Sequence, residues 1–194
     1  MASPSFLDLT ASELLDELAG PTPPGGGSAL AFTVAMAAAV VRMAARASKE
    51  SWDAAAGIAA QADALRSRVA PLAQVDAEVY DRALAVRDGA AALPPDKRDW
   101  EIGKAFAAAA EPPLEIARLA ADVAELAAAV ALSGEPRVRP DALAAATLAA
   151  AAARAAVTIV AANLTAVDGD ARVEEAERLA SAAERAASQA RDAR

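Results

Sequence analysis

The sequence predicts an all-α fold, a bundle of about six long helices, and three observations support this. Alanine supplies most of the 56% hydrophobic fraction of the 194 residues, and aromatic residues make up only 3%. Alanine is the best helix former and a poor strand former. β-branched residues occur singly or in pairs, never in the alternating runs that predict strands. The length suits one helical domain with a core and is short for two.

Caps, glycines and prolines predict where the helices begin and end. Thr10 and Glu13 form a capping box for the first helix, and Ser28 is expected to cap the second. Pro71 is expected to kink or break the third helix. The predicted helices span residues 11–19, 28–50, 54–88, 97–110, 114–132, 141–165 and 171–192.

The chain is expected to form a single domain with its core over about residues 6–168. The segment 171–192 alternates acidic and basic residues among alanines, which predicts an amphipathic helix exposed to solvent. Alanine faces bury little area per residue, so the helices must pack closely over long lengths. Flat apolar faces of this kind also suit association between subunits, and a homodimer is expected.

Charge and composition exclude several functional classes. The net charge of −8 argues against a nucleic-acid-binding domain. Histidine and cysteine are absent, which excludes disulfides, zinc held by these residues, and Ser-His or Cys-His catalytic pairs. No metal is expected, and acid–base chemistry falls to Asp, Glu, Lys or Tyr. Residues 29–41 are too short to span a membrane and 142–162 contain Arg154, so a soluble cytoplasmic protein without a membrane partner is expected.

The segment Pro24-Gly25-Gly26-Gly27-Ser28 opens a long apolar helix. Three consecutive glycines are costly to order, and a chain uses them where φ must be positive or where something approaches the backbone closely. A helix start also presents free N–H groups to an anion. The segment lacks the phosphate-binding GxxxxGK[ST] pattern. It is therefore either a tight turn between packed helices or part of a binding site.

Polar residues recur on otherwise apolar helices. Arg42, Arg46 and Lys49 form a basic stripe that either pairs with acidic neighbours or binds a small anionic ligand. Asp141 lies in a first helical turn, where the helix dipole favours a carboxylate. A polar line on one helix face is expected to meet a polar surface or a subunit interface. It comprises Thr147, Arg154, Thr158 and Thr165.

Asp76 and Tyr80, one turn apart, are a further candidate pair, with an ordinary solvated face as the alternative.

Taken in order, several segments of the chain resemble the cyclodeaminase/cyclohydrolase family of folate enzymes. This family includes methenyltetrahydrofolate cyclohydrolases and the cyclodeaminase part of formiminotransferase-cyclodeaminase. The segments are Pro-Thr-Pro-Pro-Gly-Gly-Gly-Ser at 21–28, Val-Asp-Ala-Glu-Val-Tyr at 75–80, Ala-Ala-Ala-Glu-Pro-Pro-Leu at 108–114, Pro140-Asp141 and Ala162-Asn163-Leu164.

The resemblance implies an all-helical homodimer that binds a tetrahydrofolate derivative and acts on the one-carbon bridge between N5 and N10. Hydrolysis of 5,10-methenyltetrahydrofolate to 10-formyltetrahydrofolate is the leading expectation, and cyclodeamination of 5-formiminotetrahydrofolate is the alternative. Asp141 and Lys49 are the expected catalytic residues. The expected substrate-binding residues are Pro24, Gly25, Gly26, Gly27, Ser28, Arg42, Arg46, Asp76 and Asn163.

Four segments differ from the family pattern. Ile159 stands in place of an asparagine, Pro140 in place of a serine, and Gly134-Glu135 in place of Gly-Asn. Residues 45–48 read Ala-Arg-Ala-Ser in place of Ala-Asn-Leu-Thr. These differences leave a third interpretation, a helical dimer without catalysis that binds a different small anion or serves as an interaction module.

Overall fold

The computed structural model describes residues 5–165 and 169–193, and within these ranges it contains eight α-helices and no strand. The all-α prediction is confirmed. Three short 3₁₀ turns cover Phe6–Asp8, Ala90–Ala92 and Pro136–Val138. The helices are α1 (Ala11–Leu18), α2 (Gly26–Ala47), α3 (Ala55–Val69), α4 (Leu72–Gly89), α5 (Pro95–Ala109), α6 (Glu111–Ser133), α7 (Arg139–Asn163) and α8 (Ala171–Asp192).

Helix α6 is the centre of the bundle and packs against α2, α3, α7 and α8. Its large buried side chains, such as Leu114, Leu119 and Val130, lie among alanines that are themselves fully buried. Small side chains let neighbouring helices approach closely, so a core with few aromatic residues still excludes water. The alanine-rich composition thus fills the interior through close helix packing rather than through bulky residues.

Helices α2 and α7 lie side by side, and both are long and apolar enough to cross a membrane by length and composition alone. Within Gly26–Ala47 and Pro136–Asn163, the most apolar stretches of 18 residues have mean hydropathies of 1.7 and 1.8. Half of each such stretch is buried inside the bundle. Core helices of globular bundles have this composition, and the unburied half leaves an apolar strip along each helix.

Local sequence signals determine most helix ends. The Thr10 side chain accepts a hydrogen bond from the Glu13 amide, and the Glu13 carboxylate accepts one from the Thr10 amide, so the capping box is confirmed. Pro71 separates α3 from α4, as predicted. Helices α5, α6 and α7 begin two or three residues earlier than predicted because prolines lie in their first turns. Proline is tolerated there, since its missing N–H has no intrahelical partner.

The predicted capping role of Ser28 is wrong. Helix α2 begins at Gly26 with Gly25 at the cap position, and Ser28 lies inside the first turn. The Ser28 hydroxyl is fully buried and donates a hydrogen bond to the Ala73 carbonyl on α4 at 2.7 Å. Its partner is therefore another helix rather than an amide of its own helix.

Helix α8 is amphipathic as predicted, but it belongs to the core rather than lying outside it. Its inner alanines, including Ala176, Ala180 and Ala183, are fully buried in the same hydrophobic core as α6 and α7. The alanines hidden among charged residues form a continuous inner stripe, and this stripe provides the packing. The predicted core limit at residue 168 is therefore corrected.

Charged residues of α8 also pair with the bundle. Arg154 of α7 donates to Glu177 and Glu184, and Arg118 of α6 donates to Glu175 at 2.7 Å. The expected polar surface opposite Arg154 is thus the outer edge of α8. Thr147 of the same polar line differs from Arg154, because its hydroxyl donates to the Leu143 carbonyl of its own helix.

Candidate functional site

The N-terminal end of α2, the first half of α4 and the C-terminal end of α7 together form a cleft of about 290 Å³. The glycine segment forms one wall because α2 starts there, and α4 and α7 form the others. The lining residues are Pro23, Gly25, Gly26, Gly27, Asp76, Ala77, Tyr80, Thr158, Ile159, Ala162 and Asn163.

Gly27 lies directly against the carboxylate of Asp76. A Cβ atom added at Gly27 would be 2.2 Å from Asp76 Oδ1 and 2.4 Å from both Cγ and Oδ2. The backbone φ of Gly27 is not in the left-handed region, because Gly169 is the described glycine with positive φ. The glycine is therefore required by the close approach of a side chain, which is the second of the two uses expected for a glycine segment.

Asp76 is the one charged side chain among the described residues that line the cleft. It is 8% exposed, and burial raises its pKa from the ordinary 3.8 to about 6, against the opposing effect of hydrogen bonds from Ser28. Desolvation disfavours the carboxylate, whereas the Ser28 hydroxyl and amide favour it. A carboxyl group that titrates near pH 6 can both accept and donate a proton near neutral pH.

The remaining walls are apolar, amide and aromatic. The Asn163 side chain is buried and donates a hydrogen bond from Nδ2 to the Ala109 carbonyl at 3.0 Å, which fixes its orientation. The ring of Tyr80 packs edge-on against Phe106, with centroids 6.1 Å apart and an interplanar angle of 84°. Ile159 covers Gly26, where an added Cβ would be 3.3 Å from its Cδ1. A flat, partly polar ligand suits a cleft of this composition.

Five of the predicted substrate-binding residues therefore line one cleft: Gly25, Gly26, Gly27, Asp76 and Asn163. Ser28 lies behind Gly27 and is fully buried. Pro24 is buried and lines a neighbouring pocket of about 340 Å³, together with Phe6 and three carboxylates. Those carboxylates belong to Glu17, Glu78 and Asp81.

The other predicted site residues lie at the opposite end of the bundle. Helix α2 has 22 residues and so extends about 33 Å from the glycine segment to its C-terminus. There the Glu135 amide donates to Ser48 Oγ at 2.8 Å and joins α2 to the segment that precedes α7. Asp141 and Lys49 are both exposed at this end. One chain alone does not bring them to the glycine segment.

Two residues of the basic stripe have acidic partners. Arg42 Nε lies 3.4 Å from Asp63 Oδ1, and Lys49 Nζ lies 3.5 Å from Glu50 Oε1. Surface pairs of this kind contribute little stability. Arg46 is exposed one turn after Arg42. Within one chain, Arg42 and Lys49 therefore pair with acidic neighbours, which is the first of the two alternatives given for the basic stripe.

Tyr80 and Thr158 line the cleft but are not among the predicted site residues, although the spacing of both is marked in the sequence. The signal for Tyr80 is its position one turn after Asp76, which places both on the same side of α4. Thr158 lies one turn before Ala162 and Asn163 of the resembling segment. Helical spacing from an assigned site residue would have found both.

Comparison with known proteins agrees with this fold and shows the family of the chain. A family model described as formiminotransferase-cyclodeaminase matches residues 10–182. The crystal structure of a formiminotetrahydrofolate cyclodeaminase from Thermotoga maritima superposes with a TM-score of 0.84, at 24% identity and over 96% of each chain. A search of curated proteins finds no match. The family match covers most of the chain, including the glycine segment, Asp76 and Asn163, and the chain belongs to the formiminotransferase-cyclodeaminase family.

Proposed function

We propose that this chain binds a tetrahydrofolate carrying a one-carbon group and catalyses the cyclodeamination of 5-formiminotetrahydrofolate to 5,10-methenyltetrahydrofolate and ammonia. The observation that carries the proposal is the buried Asp76 carboxyl, with a pKa of about 6, in a cleft whose residues lie within the family match. The family description and the matched solved structure both name a cyclodeaminase, which supports this choice of reaction.

The reaction requires one proton to move between two nitrogen atoms. N10 attacks the formimino carbon of the protonated substrate, and a C–N10 bond forms while N10 still carries its hydrogen. The amino group on the same carbon must then gain a proton before the C–N bond breaks and ammonia leaves. Charge balances, because the amidinium substrate and the methenyl product each carry one positive charge.

Asp76 has the properties needed to carry that proton. As a carboxylate it accepts the proton from N10, and as a carboxylic acid it donates the proton to the departing amino group. A single group performs both steps best when its pKa lies near the working pH, and burial brings Asp76 to about 6. The negative charge also favours the delocalised methenyl cation as it forms beside the glycine segment.

Hydrolysis of 5,10-methenyltetrahydrofolate, the leading expectation from sequence, acts on the same carbon atom. Water adds to that carbon and loses a proton, and the bond to N5 then breaks, leaving the formyl group on N10. Asp76 would accept the first proton from water and return it to N5, and the hydroxyl proton of the adduct would leave to solvent as the formyl C=O forms, so that one proton is released overall. The family description and the related solved structure favour cyclodeamination, and hydrolysis is a separate outcome of the same experiment.

We further propose a homodimer formed through the outward strips of α2 and α7. Helix α6 packs against the inner side of both helices, so both outward strips face away from α6. These strips expose large apolar side chains, with Met36 58% exposed, Met43 45% and Leu148 43%. Large apolar side chains exposed on two neighbouring helices are consistent with a protein interface.

An antiparallel arrangement of two copies fits the charges at the two ends of the strip. The glycine end carries an acidic pocket, and the far end carries the exposed cations Arg46 and Lys49. Two-fold symmetry would then place Lys49 and Asp141 of each copy near the glycine segment of the other. The basic residues would face the anionic glutamate tail of folate, and Asp141 the one-carbon bridge.

The activity is tested by mixing the protein with each folate and following near-ultraviolet absorbance against the spontaneous rate. Cyclodeamination produces the absorbing methenyl compound, and hydrolysis consumes it. We expect Asp76→Asn to abolish the accelerated rate, whereas the matched Asp88→Asn, an exposed residue on the same helix, leaves it unchanged. No acceleration with either folate, and no binding by calorimetry, would leave the non-catalytic dimer as the remaining interpretation.

The shared site is tested by mixing two inactive variants, Asp76→Asn and Asp141→Asn. If each site takes Asp76 from one copy and Asp141 from the other, mixed dimers contain one intact site, and random mixing restores about a quarter of the wild-type rate. If Asp141→Asn alone retains the full rate, Asp141 has no catalytic role. Met36→Lys is expected to convert the dimer to monomer in sedimentation experiments, and an unchanged dimer would exclude this face.

A further inference from the structure

Ser28 cannot contact a substrate directly, although its sequence position suggests that it does. Its side chain is fully buried behind Gly27. The hydroxyl donates to the Ala73 carbonyl at 2.7 Å and lies 3.4 Å from Asp76 Oδ2. Its two neighbours are the carbonyl and the carboxylate on successive turns of α4, so Ser28 contacts α4 at the position of Asp76.

We propose that Ser28 is a positioning residue, whose buried hydroxyl holds the Asp76 carboxylate over Gly27 and directs it into the cleft. The catalytic part of this inference rests on the proposed function, whereas the positioning of Asp76 rests on the contacts between α2 and α4. Gly27 leaves the space that the carboxylate occupies, and Ser28 supplies the polar contact on its buried side. Together, the backbone of Gly27 and the hydroxyl of Ser28 limit the positions that the Asp76 carboxylate can take.

The polar surroundings of Asp76 make Ser28 the decisive contact. Among the described cleft residues, α2 and α7 contribute no charged side chain, and α4 contributes only Asp76 itself and the titratable phenol of Tyr80. The hydroxyl and the amide of Ser28 both favour the ionised carboxylate and so lower its pKa, against burial. A side-chain change at Ser28 alters this balance, whereas the amide contact is retained.

Ser28→Ala tests the proposal, and Ser48→Ala is a matched control at the other end of the same helix. Ser48 is also fully buried, donates to the Ala44 carbonyl at 2.9 Å and accepts from the Glu135 amide. Both variants are expected to lose some stability. Only Ser28→Ala is expected to change the ionisation of Asp76, because Ser48 of the same chain lies about 30 Å away along α2.

Two measurements report the result. The apparent pKa in the pH dependence of kcat/KM is expected to rise by about 0.5 in Ser28→Ala and not in Ser48→Ala, because the single hydroxyl hydrogen of Ser28 is shared between the Ala73 carbonyl at 2.7 Å and Asp76 Oδ2 at 3.4 Å. Carbon-13 NMR titration of the Asp76 carboxyl is expected to show the same rise without any substrate. KM is expected to change less than kcat, because Ser28 does not touch the ligand.

An unchanged titration of Asp76 in Ser28→Ala, or an equal change in Ser48→Ala, would overturn the proposal. The NMR titration separates this result from failure of the proposed function, since it does not depend on turnover. If Ser28→Ala does not fold, Ser28→Cys keeps most of the side-chain volume and replaces the hydroxyl with a weak donor. The same upward shift is expected, and its absence would equally overturn the proposal.

Discussion

Gly27→Ala perturbs the contact on which the site depends. An alanine Cβ would lie 2.2 Å from Asp76 Oδ1, well inside the ordinary contact distance of 3.4–4 Å, so the carboxylate must move by more than 1 Å. Overpacking of this kind costs about 1–3 kcal/mol, against a gain of roughly 0.5–1 kcal/mol from replacing glycine in a helix. The expected net effect is a loss of roughly 1 kcal/mol in the free energy of unfolding, within a range of about 0–2.5 kcal/mol.

The decisive assay is a double-mutant cycle followed by urea denaturation. In an Asp76→Ala background the clash is absent, so Gly27→Ala is expected to be neutral or slightly stabilising. Gly57→Ala is the matched control, because Gly57 lies near the start of α3 with no atom within 4 Å of an added Cβ. An equal cost of Gly27→Ala in both backgrounds would refute the inferred approach of Asp76 to Gly27.

Catalysis should be more sensitive than stability. Displacement of the carboxylate by 1 Å is expected to reduce kcat by roughly 100-fold, since misplacement on this scale disrupts proton transfer. Circular dichroism should remain helical, and Gly57→Ala should retain full activity. A Gly27→Ala protein with the wild-type kcat would show that Asp76 does not need this position.

Three further predictions follow from burial and capping. Burial raises the pKa of Asp76 from 3.8 to about 6 in the folded protein, so the free energy of unfolding falls as the pH rises through this range. Asp76→Asn removes the buried charge and is therefore expected to be about 1–3 kcal/mol more stable than the wild type at pH 8 in urea denaturation. Ala183→Leu, in the buried stripe of α8, is expected to cost about 1–3 kcal/mol, whereas exposed Gln189→Leu is expected to cost almost nothing in thermal denaturation. Thr10→Ala is expected to destabilise α1 by about 1 kcal/mol, detected as faster amide exchange there.

The helices could be predicted from sequence because their signals are local. The capping box at Thr10 and the break at Pro71 need only neighbouring residues to act. The early starts of α5 and α6 were missed, since a proline that ends one helix can also occupy the first turn of the next. The role of α8 was missed because its charges suggest exposure, while its alanines bury a narrow inner stripe.

The site could be predicted only in part. The glycine segment, Asp76 and Asn163 were identified, and they meet in one cleft. Their physical relation could not be predicted, because the fit of Asp76 against Gly27 depends on how α4 packs on α2 and not on any local pattern. The catalytic role of Asp141 stays a prediction: the residue lies at the exposed far end of the bundle, and a second copy would have to bring it to the cleft, which no local pattern reveals.

The pH dependence of cyclodeamination by the wild type and by Asp76→Asn tests the central claim most directly. With 5-formiminotetrahydrofolate as substrate, the wild type is expected to form the methenyl product above the spontaneous rate, with kcat/KM changing around pH 6, where Asp76 titrates. Asp76→Asn is expected to lose both the acceleration and that titration while remaining folded. An Asp76→Asn protein with the wild-type rate and the same pH profile would contradict the account.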